Sequence, residues 1–243
     1  MTKLSIGTKK MGLSFKHMQY DVSNEIVIER IKQVLSDFKQ KNPHLSNLFK
    51  ISREFAHKTN DEQVIISDIL EIAHNQHLDV LEGSIVSIYY AQARPNLRCP
   101  VAFDHPLDHY PMLKLLEIGR QLGIAVCHKF NHVPLTGFMF IVNCIFGDFN
   151  KFTELDIPLE LIEIDIGVKY KKGILSQKVS YFMFFQKGAF LGYGGGNFSI
   201  FPNMIYKELR IFSRCSILEN IGWTKTERGD IAIPTNIDLL REI

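Results

Sequence analysis

Apolar positions recur at helical spacing early in the chain. Ile28, Ile31, Leu35 and Phe38, with Ser23 as a cap, predict an amphipathic helix over residues 24–40. Asn42-Pro43 breaks it, and Leu45, Leu48, Phe49 and Phe55 suggest a second helix over 43–58. Asn60 with Gln63 has the form of a capping box, opening a third helix that carries Ile65, Ile66, Ile69, Leu70 and Ala73. Residues 78–93 fit two templates. Leu81, Ile85, Ile88 and Tyr89 suit a helix, while the β-branched and aromatic run from Ser84 to Tyr90 suits a strand; the helix is preferred. Residues 1–20 show no clear period and read as a lead or an edge strand.

The middle of the chain reads as strand, helix, strand. Residues 100–103 form a short apolar run, and Asp104 caps a helix with Pro106 in its first turn. Met112, Leu113, Leu115, Leu116, Ile118 and Leu122 form its apolar side, Gly123 ends it, and residues 124–128 make a second apolar run. Such a βαβ-like unit places its two strands parallel. Residues 137–146 are a further buried strand. Beyond Pro158, Ile162, Ile164, Ile166, Val168 and Tyr170 alternate with Glu163, Asp165, Lys169 and Lys171, a strict period of two. Lys172-Gly173 turns into a strand apolar on both faces (Val179, Tyr181, Met183, Phe185 against Phe182, Phe184), and Lys187-Gly188 turns into a third over 189–193, a β-meander. The glycine-rich run from Gly192 to Asn197 is followed by a strand pattern, which suits a turn or hairpin better than a phosphate cradle. Pro202 opens a helix that buries Ile205, Leu209, Phe212, Ile217 and Leu218. The fold class is α+β: a helical N-terminal part, then the βαβ-like unit, then a mostly antiparallel sheet packed by C-terminal helices. Arg94-Pro95-Asn96 marks a boundary between regions 1–96 and 97–243, unless the whole is one compact domain.

Composition narrows the class. The 243 residues are 46% hydrophobic with a net charge of +2, which excludes a disordered chain and gives no general attraction to nucleic acid. Cys99, Cys127, Cys144 and Cys215 are dispersed, which suits reduced thiols rather than a disulfide scaffold. No secretory signal or membrane-length apolar run is present, so a soluble, cytoplasmic protein is expected; signal-independent secretion would leave no readable trace. The first 60 residues hold 11 lysines and arginines against 5 aspartates and glutamates.

The parallel pair would carry Asp104, His105, Asp108 and His109 to the same rim as Cys127, His128, Asn131 and His132. His105, His109, His128 and His132 then suit a divalent metal such as zinc, with Asp104 or Asp108 as general base or carboxylate ligand: a metal-dependent hydrolase. His74 and His77, three apart, extend that set. The stretch Asp104-His105-Pro106-Leu107-Asp108-His109 resembles in part the Pro-His-Pro-Asp-Asp-Glu that LmbE-like zinc deacetylases carry after a strand. Leu107 stands where that family has its first Asp, and His109 where it has Glu. The plain alternative is that these histidines cap helices and bond carbonyls at loop edges. Two other functions remain open. Lys39, Lys41, Lys50, Arg53 and Lys58 can form a basic helical face, so a noncatalytic protein would bind an acidic protein partner or nucleic acid. Cys127 or Cys144, served by His128 or His132, can act as a nucleophile. Glu160, Glu163 and Asp165 read as the solvent side of their strand.

Overall fold

The structure, a computed structural model, describes residues 22–45, 48–78, 81, 84–94 and 108–220. Helix α1 (Glu25–Lys41) forms where the apolar spacing predicts it, and Asn24, rather than Ser23, caps it by accepting from the Ile26 N–H at 2.9 Å. The strands β1 (Leu70–Leu78) and β2 (Ser84–Gln92) follow, then helix α2 (Met112–Lys129). After these come β3 (Phe138–Phe149), β4 (Glu160–Lys171), β5 (Ile174–Gln186), β6 (Ala189–Pro202) and helix α3 (Asn203–Asn220). The sheet has the order β1-β2-β4-β5-β6-β3, with antiparallel pairing from β1 through β6.

Each face of the sheet is buried by a different helix, which explains why its central strands are apolar on both sides. On one face Val27, Ile31 and Leu35 of α1 meet Val86, Ile88, Tyr90, Ile162, Ile164, Tyr181, Met183 and Phe185. On the other, Leu115, Ile118, Leu122, Ala125 and Val126 of α2 meet Tyr89, Ala91, Leu161, Phe182, Phe184 and Phe198. Residues 51–66 pack against α2 as well, with Ile51, Ala56, Val64, Ile65 and Ile66 in the same cluster. The helix is therefore buried nearly all round along its second half. Gly119 and Gly123 let it sit close to the sheet, since a Cβ at either would come within 3.0–3.2 Å of the Phe182 ring.

Close contact divides the chain into two units, Met1–Thr136 with Phe140–Ile200, and Gly137–Met139 with Phe201–Ile243. In the second, the Asn203 N–H donates to the Gly137 carbonyl at 2.8 Å, and Met204, Ile205, Leu209 and Ile211 of α3 are exposed. Among the described residues, no helix is long and apolar enough to cross a membrane.

The α+β class holds and the β4-β5-β6 meander is present, but several expected elements differ. No βαβ unit forms, because residues 124–128 continue α2 instead of making a strand. Their unbroken apolarity reflects burial between the sheet and residues 51–66. The expected helix over 43–58 is replaced by turns and a bridge from Lys50 to Ser67. Asn60 does cap, accepting from the Glu62 N–H at 2.8 Å, but only a single 3-10 turn, Asp61–Gln63. The third helix gives way to extended chain and β1. Residues 84–92 are strand, not helix, because β2 lies between β1 and β4 with both faces covered. The run from Gly192 to Asn197 lies inside β6, where a Cβ on Gly192 would approach the Asp148 carbonyl at 2.5 Å. There glycine serves close packing of β3 on β6 rather than a turn.

Candidate functional site at the start of helix α2

The segment before α2 is held by backbone pairing. His109 bridges Glu154 in antiparallel sense, and the Tyr110 N–H donates to the Thr153 carbonyl at 2.8 Å. His109 Nδ1 donates to Asp108 Oδ1 at 2.6 Å, which leaves Nε2 as the free ring nitrogen. The imidazole also lies edge-on to Phe152, with centroids 5.1 Å apart. That hydrogen bond holds the Asp108 carboxyl below its ordinary range, so the side chain stays anionic. Helix α2 begins at once after this pair. Its N-cap is Pro111, no side chain caps the first turn, and no acidic residue lies in that turn. The Lys114 and Leu115 N–H groups donate to the Pro111 carbonyl at 2.8 and 3.2 Å, which leaves the Met112 and Leu113 N–H groups and the positive end of the helix dipole for a ligand oxygen.

A cavity of about 290 Å³ opens beside this helix start. Tyr110, Met112, Leu115 and Phe149 form its apolar wall, and His109, Asn150, Lys151 and Thr153 its polar groups. Thr153 is 1% exposed, yet its Oγ1 has no hydrogen-bond partner among the described residues. An unmet buried hydroxyl costs about 1–3 kcal/mol.

Further along, α2 covers three titratable groups of the sheet. Lys178 Nζ lies 2.6 Å from Glu163 Oε1 and 3.0 Å from Asp165 Oδ2, with all three side chains removed from water. The Ser180 hydroxyl donates to Asp165 Oδ1 at 2.7 Å. Burial raises the Glu163 carboxyl to about 8, opposed by Lys178 and reinforced by Asp165. Burial likewise pushes the Cys127 thiol up to about 12, so it is held as the unreactive thiol.

The face of α2 turned away from the sheet carries Glu117, Arg120, Gln121 and His128. Glu117 accepts from Arg120 at 2.6 and 2.9 Å and from Gln121 at 2.9 Å, and pairs with Lys58 at 2.7 Å. Burial alone would raise its carboxyl, but these partners hold it at about 2. His128 Nδ1 donates to the Val133 carbonyl at 2.7 Å, so its Nε2 accepts, and His57 Nε2 donates to it at 2.7 Å. The sequence reading missed both Glu117 and His57. Arg120 at i+3 and Gln121 at i+4 were the available signal for the first; His57 is 71 residues from His128 and had none.

Of the residues singled out from the sequence, Asp104 and His105 lie outside the described residues. Asp108 and His109 stand together before α2, whereas His128 lies in its last turn, about 24 Å of helix away. His132 is exposed just beyond, with φ of 57°. Among the described residues, His109 and His128 therefore do not share a rim. His74 and His77 are on strand β1, where His74 bonds Glu71 at 2.9 Å. The basic face is dispersed: Lys39 pairs with Glu160 at 2.6 Å, Lys58 with Glu117, and Arg53 with Glu54. Glu163 and Asp165, expected in solvent, are buried beneath α2.

The model of the AfsA family, the A-factor biosynthesis hotdog domain, matches residues 39–202. A 2-oxo-3-(phosphooxy)propyl 3-oxoalkanoate synthase of Streptomyces virginiae is 34% identical over 67 residues, 28% of this chain. The match spans only 20% of that relative's length. Among solved structures, a hot-dog-like protein of Thermanaerovibrio acidaminovorans superposes with a TM-score of 0.39 at 10% identity, over 54% of this chain and 90% of that one. A thioesterase superfamily member of Thermus thermophilus gives 0.38 at 10% identity, over 55% and 95%. The family match overturns both the metal-dependent hydrolase and the noncatalytic binding protein. Consistent with the first correction, no group of three or more His, Cys, Asp or Glu among the described residues is placed to hold a metal.

Proposed function

The chain belongs to the AfsA family of A-factor biosynthesis hotdog domains, and from that premise we propose that it is an enzyme acting on an activated 3-oxoacyl group. The substrate class is taken from the name of the Streptomyces virginiae relative, a 3-oxoalkanoate ester synthase. The observation that carries the reading is the His109–Asp108 pair at the mouth of an apolar cavity, beside the uncapped start of α2. The acyl chain enters the cavity against Met112, Leu115 and Phe149. Its carbonyl oxygen meets the leading N–H groups of α2, which stabilise the negative charge that builds on it. His109 Nε2 takes the proton of an attacking hydroxyl, and Asp108 holds the ring in the required tautomer. The new ester C–O bond forms, the bond to a thiol carrier breaks, and the proton passes from His109 to the departing sulfur.

The test is mass spectrometry of the purified chain with 3-oxooctanoyl-N-acetylcysteamine thioester and the alcohol that carries the 2-oxo-3-(phosphooxy)propyl group. Ester formation is expected, falling at least about 100-fold in His109→Ala with an unchanged melting temperature. A thioester left intact, or a His109→Ala variant as active as the parent, overturns the proposal.

A further inference from the structure

We infer that the tip of the β4–β5 hairpin docks on an anionic lipid bilayer, its lysines on the headgroups and its exposed apolar side chains in the interface. The inference goes beyond the chemistry proposed at His109 and does not depend on it. Among the described residues, β4 pairs with β2 only from Glu160 to Asp165, and β5 pairs with β6 only from Gln177 onward. Residues 166–176 therefore run past both neighbours as a two-stranded arm, with Tyr170 opposite Leu175 and Lys171 opposite Ile174. Lys172 and Gly173 close the arm with φ of 53° and 78°, the left-handed pair that a tight two-residue hairpin turn requires. At the rise of a strand, the residues from Ile166 to Lys171 carry that turn up to about 20 Å past the last β2 pair.

Charge and apolar surface coincide on this arm. Val168, Tyr170 and Ile174 are 41%, 53% and 38% exposed, and Lys169, Lys171 and Lys172 are exposed among them. Among the described residues none of these three lysines forms an ion pair. No Asp or Glu occurs between Asp165 and Glu208, so neither strand of the hairpin offsets the charge. The β5–β6 hairpin shows that such a turn does not need this surface. Its Lys187-Gly188 turn has φ of 47° and 78°, yet it exposes a single lysine, and its flanking pairs Gln186–Ala189 and Phe185–Phe190 present no large exposed apolar side chain. Apolar groups set among unpaired cations on a projecting element suit a bilayer interface, where the first enter the headgroup boundary and the second meet anionic lipid. A nucleic acid would engage the lysines, but the aliphatic Val168 and Ile174 offer bases neither stacking nor hydrogen bonds.

The test is flotation of the full chain with vesicles of phosphatidylcholine, alone or mixed in equal parts with phosphatidylglycerol. The chain is expected to float with the mixed vesicles and at least about 10-fold less with phosphatidylcholine alone. Each lysine near an anionic surface contributes about fivefold in partitioning, so Lys169→Ser, Lys171→Ser and Lys172→Ser together lower it about 100-fold. The corresponding triple arginine variant keeps the charge and floats as the parent does. Tyr170→Thr keeps all three charges and a good strand residue, and is expected to weaken partitioning about 10-fold by removing apolar surface. The variants are compared at unchanged melting temperature. A parent that stays behind when mixed vesicles float, or a triple serine or Tyr170→Thr variant that floats as well as the parent, overturns the inference. Tighter binding to a duplex oligonucleotide than to mixed vesicles overturns it in favour of a nucleic-acid surface.

Discussion

Lys178 shows how far a single residue can depart from its usual place. It is buried between Glu163 and Asp165, and although burial opposes its charge, the two carboxylates outweigh that and hold its ammonium well above the ordinary range. Removing one partner of such a pair strands the others in a dry interior. Lys178→Met is expected to destabilise the fold by about 3–5 kcal/mol, read as a lower urea midpoint at unchanged slope. A midpoint equal to the parent's would mean that the carboxylates reach water or share protons without it. None of this was legible locally. Glu163, Asp165 and Lys178 look like the polar side of alternating strands, and only the seating of α2 on that side makes them interior. His109 was different. Its kinship with Asp108 is visible in the sequence, since the two are adjacent, but the pairing with a helix start rather than a metal was not.

At the scale of elements, α2 shows why periodicity read correctly can still mislead. The apolar positions from Met112 to Leu122 predicted a helix, and Gly123 was taken as its end. The glycine is instead an approach point, as is Gly119, whose Cβ position is 3.0 Å from Phe182 Cδ2. Helix propensity alone would favour every replacement there except proline, by up to about 1 kcal/mol. A β-branched side chain would have to displace an aromatic ring at the centre of the core, and overpacking of that kind costs about 1–3 kcal/mol. Gly119→Val is therefore expected to lower stability by thermal melting despite its gain in propensity. A rise in melting temperature would show that α2 can lift from the sheet. Strand β2 illustrates the converse. Its β-branched and aromatic content pointed to a strand, yet an apolar surface on both sides mimics the spacing of a helix when only one line of sequence is in view.

The molecule as a whole carries acid- and base-sensitive groups at α2. Burial, then the neighbouring His128 and Arg120, lower the His57 imidazole to about 4, and burial lowers His128 too. The unfolded chain takes up protons near 6.5 that the folded pair refuses, so this contribution is complete above pH 6.5 and is lost as pH falls toward about 4. The nearby Glu117, held at about 2, stays ionised through that window, so its pairing with Lys58 and Arg120 is not what changes. Lys129, paired with Asp68 at 2.6 Å, flanks the same turn. Glu163, raised to about 8, acts with the opposite sign: the folded chain holds its proton longer, which favours folding as pH falls from 8 toward the ordinary carboxylate range. Comparison with a variant separates the two. His57→Asn, which tolerates the φ of 51° at this position, is expected to lose less of its urea midpoint than the parent between pH 7 and pH 5. Equal losses would place the acid sensitivity elsewhere.

The sequence alone determined the class, the first helix, β4, β5, the start of β6 and the turns between them, because these rest on local period and on turn residues that act within a few positions. It also placed Asp108 beside His109. Tertiary structure decided everything that depends on which surface meets which. Covering both faces of one sheet erased the alternation that identifies β2, buried three titratable side chains that isolated strands would leave in water, and paired Tyr110 with Thr153 across 43 residues of chain. Contacts between positions so far apart leave no periodic trace, since each is made by packing and none by the neighbours along the backbone.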